Sequence, residues 1–514
     1  MELNQCLNIE FILLLKTVIS LLFLSWIILI VYYYFSNFSI FIDTNETYLN
    51  NNIKSIIYFF VYILSAFFVF SIVFLNVRLY GSYRINIESG VIRPETYFVK
   101  IYFFSKIFIN IFSFSITKFN LSFFLLFSIL YPIIFAVMSY DNNNLNSKLY
   151  IYMYTIFIIS YLLLFVENII IFYFLYELLL ILVFYVMYLT ANSRGGIEAA
   201  MYFAAWAILG SIMVGIGILI LLNLTEVYTF DLLKYNKLTY NEVYYIYILF
   251  FFGFGVKLSV WPFWYWLPKA HVEVSTGMSI FLSCILIKLS FFSLLRFQHT
   301  LLTEISYTIC IMVASLTAID VVYRFINLRD LKAIIAYGSV LHTNLLLILI
   351  HMDSFKNLKT SIYYVWGHSL ATAAMFLIVN ALEARYSSRN ILYISGVWYT
   401  SPSFGYLMFF SLISFLDIPL SVFFWGELWL WVLVLNKIFL LAVQILFSVN
   451  IIFVSIFFKI WWSLLFGTPD VSIKKINSND VNFEYNTLIT WLVFLQILIG
   501  VQPSILSFLC GLYI

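Results

Sequence analysis

Charge is what this sequence has least of. Asp, Glu, Lys and Arg make up 10% of its 514 residues, against 64% hydrophobic residues. A soluble chain carries about a quarter charged residues, so a water-facing globule is excluded. The net charge of +3 comes without a polybasic block, which removes the sequence signature of a nucleic-acid partner. Cysteine is equally sparse. Cys6, Cys284, Cys310 and Cys510 lie far apart and form no Cys-x-x-Cys pair. Neither a zinc nor an iron–sulfur site is expected from them, and Cys284 and Cys310 read as plain hydrophobic residues. No dinucleotide or flavin fingerprint is present. No cofactor and no metal site is therefore expected in this chain.

What the chain has instead is long apolar runs. A bilayer-spanning helix needs about 20 apolar residues. The sequence predicts about fourteen spans, roughly 9–35, 55–77, 119–139, 149–168, 169–190, 199–223, 244–268, 275–297, 305–325, 332–351, 361–382, 402–434, 437–465 and 486–511. Lipid offers no backbone partners, so the expected fold is an all-α membrane bundle; barrel strands are shorter and alternate in polarity. The first run, from about Glu10 to Phe35, is too long for a signal-peptide core and reads as a retained span, with no Arg-rich transit segment before it. Residues 77–118 read as extramembrane or interfacial, since Arg78, Arg84, Glu88, Arg93 and Glu95 crowd their first half, with a further span in the apolar later part as the alternative. The 56 Phe and 39 Tyr residues fit AT-rich coding DNA of the organellar kind.

Only eight prolines occur, and four accompany charges in apolar runs. Pro262 and Pro268 follow Lys257; Pro402 and Pro419 precede Glu427. Proline removes a backbone hydrogen bond and breaks or kinks a helix. Two broken helices, one in each half, are the pattern of a transporter built from inverted repeats, and ordinary proline kinks are the alternative. Ionisable residues deep in a span cost about 2.5–3.5 kcal/mol on insertion scales, so each is a functional candidate. Glu177 sits in Phe-Tyr-Phe-Leu-Tyr-Glu-Leu-Leu-Leu, and its partner is expected on another helix. Lys257 and Lys288 are placed mid-span, beyond the reach of snorkelling. Glu427 follows Pro419 by eight residues. His342 and His368, natural proton carriers, lie within or near the ends of two spans, and Lys332 begins one, either reaching inward or anchoring the interface. Asp320, Glu167 and Asp417 are weaker candidates. A series of titratable groups through an apolar bundle is what proton transfer requires, provided neighbours reach one another directly or through water.

At these residues the chain resembles a known family. The run Trp266-Leu267-Pro268-Lys269-Ala270-His271-Val272-Glu273 lies between Lys257 and Lys288. It resembles subunit 4 of respiratory complex I, the proton-translocating NADH:ubiquinone oxidoreductase. Glu177 with Leu180-Ile181, Gly210-Ser211, Asp330-Leu331-Lys332 with Ile335-Ala336-Tyr337, His342, His368, Pro419 and Gly426-Glu427 follow in the same order. The resemblance covers about 119–467 and implies three parts: divergent N-terminal helices over 1–118, an antiporter-like core over 119–467, and a loop with a last span over 468–514. It implies Glu177 coupled to Lys257 in the broken seventh span, Lys288 as central relay, His342 and His368 on a connecting axis, and Glu427 as terminal site. It also implies the mitochondrial inner membrane, neighbouring complex I subunits (the subunit 2 and subunit 5 modules above all), lipids such as cardiolipin, and redox chemistry performed elsewhere. There are departures. Ser259 stands where the family usually has proline, Trp264 where it often has histidine, Leu182 where it often has proline, and Ser290 and Phe291 where it has glycines. The Glu-Arg motif survives loosely in Glu383, Arg385 and Arg389.

The alternatives are a related cation/proton antiporter or membrane hydrogenase subunit of the same fold, and a structural subunit that has lost transport. Retention of Glu177, Lys257, Lys288 and Glu427 argues against the last.

Overall fold

The computed structural model describes residues 101–102, 113–115, 117–141, 147–191, 193–233, 238–298, 306–352, 358–437, 440–468 and 483–509. The expected spans at 9–35 and 55–77, most of the 77–118 segment, Cys6 and Cys510 lie outside them. Seven of the described helices are long and apolar enough to cross a bilayer. Four shorter apolar helices join them. The membrane bundle expected from composition is thus what forms. Among the described residues the departure from an all-helical chain is small: β1 (Ile101–Tyr102) and β2 (Ser113–Phe114) pair antiparallel.

The chain divides into two compact units, Met1–Leu182 with Ser507–Ile514, and Val183–Leu506. In the first, α1 (Lys118–Asp141) and α2 (Ser147–Phe165) are joined by a Tyr131–Ser160 hydroxyl bond of 2.7 Å. Tyr131 also meets Phe157 edge-on at 4.6 Å. The next helix, α3 (Ile169–Thr190), opens where the Asn168 side chain accepts from the Ile170 amide at 2.9 Å. That bond satisfies one of the donors left free at a helix start.

The second unit takes in the end of α3 from Val183, then α4 (Arg194–Thr225), the short α5 (Phe230–Leu233) and α6 (Tyr240–Lys257). After α6 the helix breaks. A single 3-10 turn over Phe263–Tyr265 leads into α7 (Trp266–Glu273). Then come α8 (Thr276–Phe281), one π turn over Leu282–Leu286, and α9 (Ile287–Gln298), a continuous path whose apolar stretch is wholly buried. Three long helices follow: α10 (Ser306–Phe325), α11 (Leu331–Met352) and α12 (Leu358–Tyr386). The run expected as one long span at 402–434 is α14 (Pro402–Phe415) and α15 (Val422–Lys437), after the short α13 (Val397–Thr400). The unit closes with α16 (Leu440–Phe466), α17 (Phe483–Val501) and the start of α18 (Pro503–Leu509).

A break inside a bundle frees backbone groups that lipid cannot satisfy. At the first break, the Val256 carbonyl accepts from the Trp266 indole at 2.7 Å and from the Ser259 amide at 3.3 Å. The Val260 amide reaches back to the Gly255 carbonyl at 3.0 Å. The turn is made by Ser259, whose φ is 54°. Proline fixes φ near −65°, so the proline usual in the family at this place could not make this turn. Trp266→Phe keeps an aromatic ring, smaller than the indole, and deletes the donor. It is expected to cost about 1 kcal/mol, read as a lower thermal inactivation midpoint of the solubilised protein.

Candidate functional site

Lys257 is the last residue of α6 and is 1% exposed. It was expected mid-span; the break places it instead at a carbonyl end, where the helix dipole favours a cation. Next to it, the Ser259 hydroxyl donates to the Leu258 carbonyl at 2.6 Å and lies 3.2 Å from the Thr343 hydroxyl of α11. The 3-10 turn beyond is clamped to α10. Asp320 accepts from Tyr265 at 2.8 Å and from the Trp264 indole at 3.2 Å, and Arg324 binds its other oxygen at 3.0 Å. Trp264, the apparent departure, is thus part of the clamp, and Asp320 takes a structural role.

Lys288 is fully buried on α9. Its ammonium lies 3.2 Å from the Ser283 carbonyl and 2.6 Å from Nδ1 of His368 on α12. The Ser283 carbonyl belongs to the π turn, and single π turns within helices recur at functional sites. From His368 the polar groups continue. The rings of His368 and His342 lie 5.6 Å apart. The Tyr364 hydroxyl donates to the His342 carbonyl at 3.1 Å and lies 3.5 Å from its Nδ1. Tyr364 interacts electrostatically with both Asp417 and Glu427. Glu427, 8% exposed, accepts at Oε1 from the Trp431 indole at 2.9 Å and the Asn450 amide at 2.6 Å. A cavity of about 360 Å³ opens beside it, lined by Trp431, Phe447, Asn450, Val454 and Phe458.

Lys288, His368, His342 and Tyr364 thus form one axis of direct contacts, with Glu427 in electrostatic reach of its Tyr364 end. Two members were not singled out for it. Tyr364 stands one turn before His368 on α12, and that i, i+4 spacing was its only signal. Asp417, a weak candidate, sits in the turn between α14 and α15. Phe423 packs edge-on against Tyr364, His342 and His368, with centroids at 4.8, 4.9 and 5.7 Å. It walls the axis with apolar surface.

Lys332 is placed elsewhere. It is buried at the start of α11, 3.4 Å from the Val274 carbonyl and 3.9 Å from a Glu383 oxygen. Arg389 completes that cluster, 3.7 Å from Glu383, 3.8 Å from Asp330 and donating to the Val272 carbonyl at 2.8 Å. Glu383 and Arg389 thus hold the corner between α7 and α8. Buried His271, in the same corner, stacks on Phe376 at 5.1 Å. Glu177 lies on the stretch of α3 that belongs to the first unit, half-buried, with a hydrogen bond to Tyr173 one turn before it. Glu177, whose partner is expected on another helix, thus meets a neighbour on its own helix. Among the described residues no group of His, Cys, Asp and Glu could hold a metal ion.

A family model described as NADH:quinone oxidoreductase/Mrp antiporter, transmembrane, matches residues 166–454, more than half of the chain. The chain belongs to that family. Within this antiporter-like family it is similar to NADH-ubiquinone oxidoreductase chain 4 of Paramecium tetraurelia, 29% identical over 373 residues, 70% of this chain and 79% of the relative. The chain spans about half the length (53%) of the Arabidopsis thaliana protein of the same description, at 32% identity. Among solved structures it is similar in fold to a chain of respiratory complex I from Thermus thermophilus (TM-score 0.72, 16% identity, covering 88% of this chain and 93% of that one). It is similar also to a chain of an archaeal membrane-bound sulfane sulfur reductase (TM-score 0.77, 16% identity, 96% of each chain).

Proposed function

We propose that this chain is the chain-4-type, proton-translocating membrane subunit of a respiratory NADH:ubiquinone oxidoreductase. The observation that carries the reading is the 2.6 Å contact between Lys288 Nζ and His368 Nδ1 inside a wholly buried helix. Two groups that can exchange a proton are joined there in an apolar interior, and family membership agrees. A proton on the Lys288 ammonium passes to His368 Nδ1, leaving a neutral amine and an imidazolium. His342 and Tyr364 continue the path towards Glu427, with water bridging the longer gaps. In this reading Lys257 sets the charge near Lys288, and Lys332 receives protons at the α7–α8 corner. The core over 119–467 does this work, within about fourteen spans and two inverted repeats. The membrane is the mitochondrial inner membrane, and the neighbours are the subunit 2 and subunit 5 modules with lipids such as cardiolipin. The chain holds no cofactor, and other subunits perform the redox steps.

The same fold occurs in the archaeal sulfur-reducing complex, so the antiporter or hydrogenase-type assembly is the competing reading. Purification of the native complex decides between them. The chain is expected to comigrate with NADH:ubiquinone reductase activity; copurification with a hydrogenase or a cation antiporter assembly would overturn the proposal. Glu427→Gln in that complex is expected to lower coupled proton translocation at least about tenfold, measured as proton uptake per NADH oxidised in sealed vesicles. A purely structural subunit would show wild-type stoichiometry.

A further inference from the structure

We propose that Asp417 is a second carboxyl of the terminal proton site, sharing one proton with Glu427. The inference rests on the proton-translocating reading above. Asp417 lies in the turn between α14 and α15, with φ of 56°. The Ile418 amide closes that turn on the Ile413 carbonyl at 3.2 Å. A left-handed residue is commonly Gly, Asn or Asp, so the turn alone accounts for a small polar residue here. It does not account for where the carboxyl goes. The following residues, Ile418, Pro419 and Leu420, face outward, and an Asp serving only the turn could do the same. Instead both Asp417 oxygens are buried, and neither meets a backbone or amide donor. What the group meets is the carboxyl of Glu427, close enough for a hydrogen bond. A hydrogen bond between two carboxyls requires a proton on one of them. No lysine or arginine is hydrogen-bonded to Asp417 among the described residues to neutralise it otherwise.

The arrangement on Glu427 fits. Its two N–H donors, from Trp431 and Asn450, both fall on Oε1. That leaves Oε2 for the shared proton. Two ionised carboxylates side by side in a low-dielectric interior repel strongly, so such a pair titrates as a unit and keeps one proton. The groups facing it are the Tyr364 hydroxyl from α12, Trp431 on α15 and Asn450 on α16. A second proton arriving past Tyr364 makes the pair neutral, and one proton then leaves through the cavity beside Glu427. The pair returns to one proton and one negative charge, so charge and protons balance at each passage.

The test compares Asp417→Asn, Asp417→Gly and Glu427→Gln in the assembled membrane complex. Both Asp417 substitutions suit the left-handed turn, so either one decides if the other fails to assemble. The readouts are the pH profile of proton translocation and the carboxylic-acid C=O band in infrared spectra. Loss of the shared proton is expected to move the pH midpoint by about one unit or more and to shift or remove the band. Translocation is expected to fall about tenfold. If both Asp417 variants keep the wild-type profile and band while Glu427→Gln loses translocation, Asp417 is a turn residue only and the inference is overturned. If Glu427→Gln also translocates normally, the proton-translocating reading itself fails.

Discussion

Lys288→Met in the assembled complex is expected to lower coupled proton translocation by about two orders of magnitude, the usual size of a lost proton-transfer group. Methionine nearly matches the length of the lysine stem and cannot bind a proton. The side chain sits in a helix whose apolar stretch is wholly buried, so methionine suits the surroundings better than lysine does. Removing a buried charge without leaving a hole is neutral or stabilising. The variant complex is therefore expected to assemble in normal amount, with thermal stability equal or higher. That separation is the point of the experiment. Lost translocation with intact assembly locates the defect in the contact with His368. Lost assembly with it would mean that the ammonium holds α9 to α12 as a structural bond. Proton pumping into sealed vesicles, normalised to complex content, reads the first; a thermal inactivation curve reads the second.

Gly367→Val is expected to have the opposite profile, with assembly lost first. A Cβ at Gly367 would overlap the backbone of Phe423, and one at Gly426 would lie 2.6 Å from the Tyr364 backbone. Helices α12 and α15 therefore touch backbone to backbone at two reciprocal glycines, the small-residue contact by which membrane helices approach closely. Backbone cannot give way as a side-chain tip can. Separating the helices would also pull Phe423 from the ring faces of His342, His368 and Tyr364. The cost is expected at the upper end of the 1–3 kcal/mol range for overpacking, or above it. The readout is the quantity of intact complex on native gels, with Gly367→Ala giving a smaller loss in the same direction.

Both predictions rest on residues that the sequence showed unevenly. The span expected at 169–190 coincides with α3, Ile169–Thr190, because an unbroken apolar run leaves the helix no other place to end. Lys288 and Glu427 were visible because a charge in such a run is an anomaly. The two breaks were signalled by Pro262 and Pro419, but not their positions. The breaks fall at Ser259 and Asp417, whose left-handed φ values of 54° and 56° no hydropathy pattern records. Lys257 looked central because hydropathy does not register a helix end inside the membrane. Tyr364 was hidden by its own abundance. In a chain with 39 tyrosines, one more in an apolar segment carries no signal, and only its position a turn before His368 distinguishes it. Lys332 gave two equal readings, and its partners, the Val274 carbonyl and Glu383, lie more than fifty residues away in sequence, beyond any local pattern.

The π turn at Leu282–Leu286 makes the facing of Lys288 a matter of counting. A single such turn adds about one residue to the helix, and one residue is about 100° of rotation. A helical wheel drawn through Thr276 to Gln298 therefore assigns Lys288 to the wrong side. Deleting one residue among Leu282 to Leu286 would restore regular winding and swing the ammonium away from His368, with the composition of the segment almost untouched. The phase of that helix is written in its length, and a one-residue insertion or deletion there acts as a switch of register that no substitution can imitate.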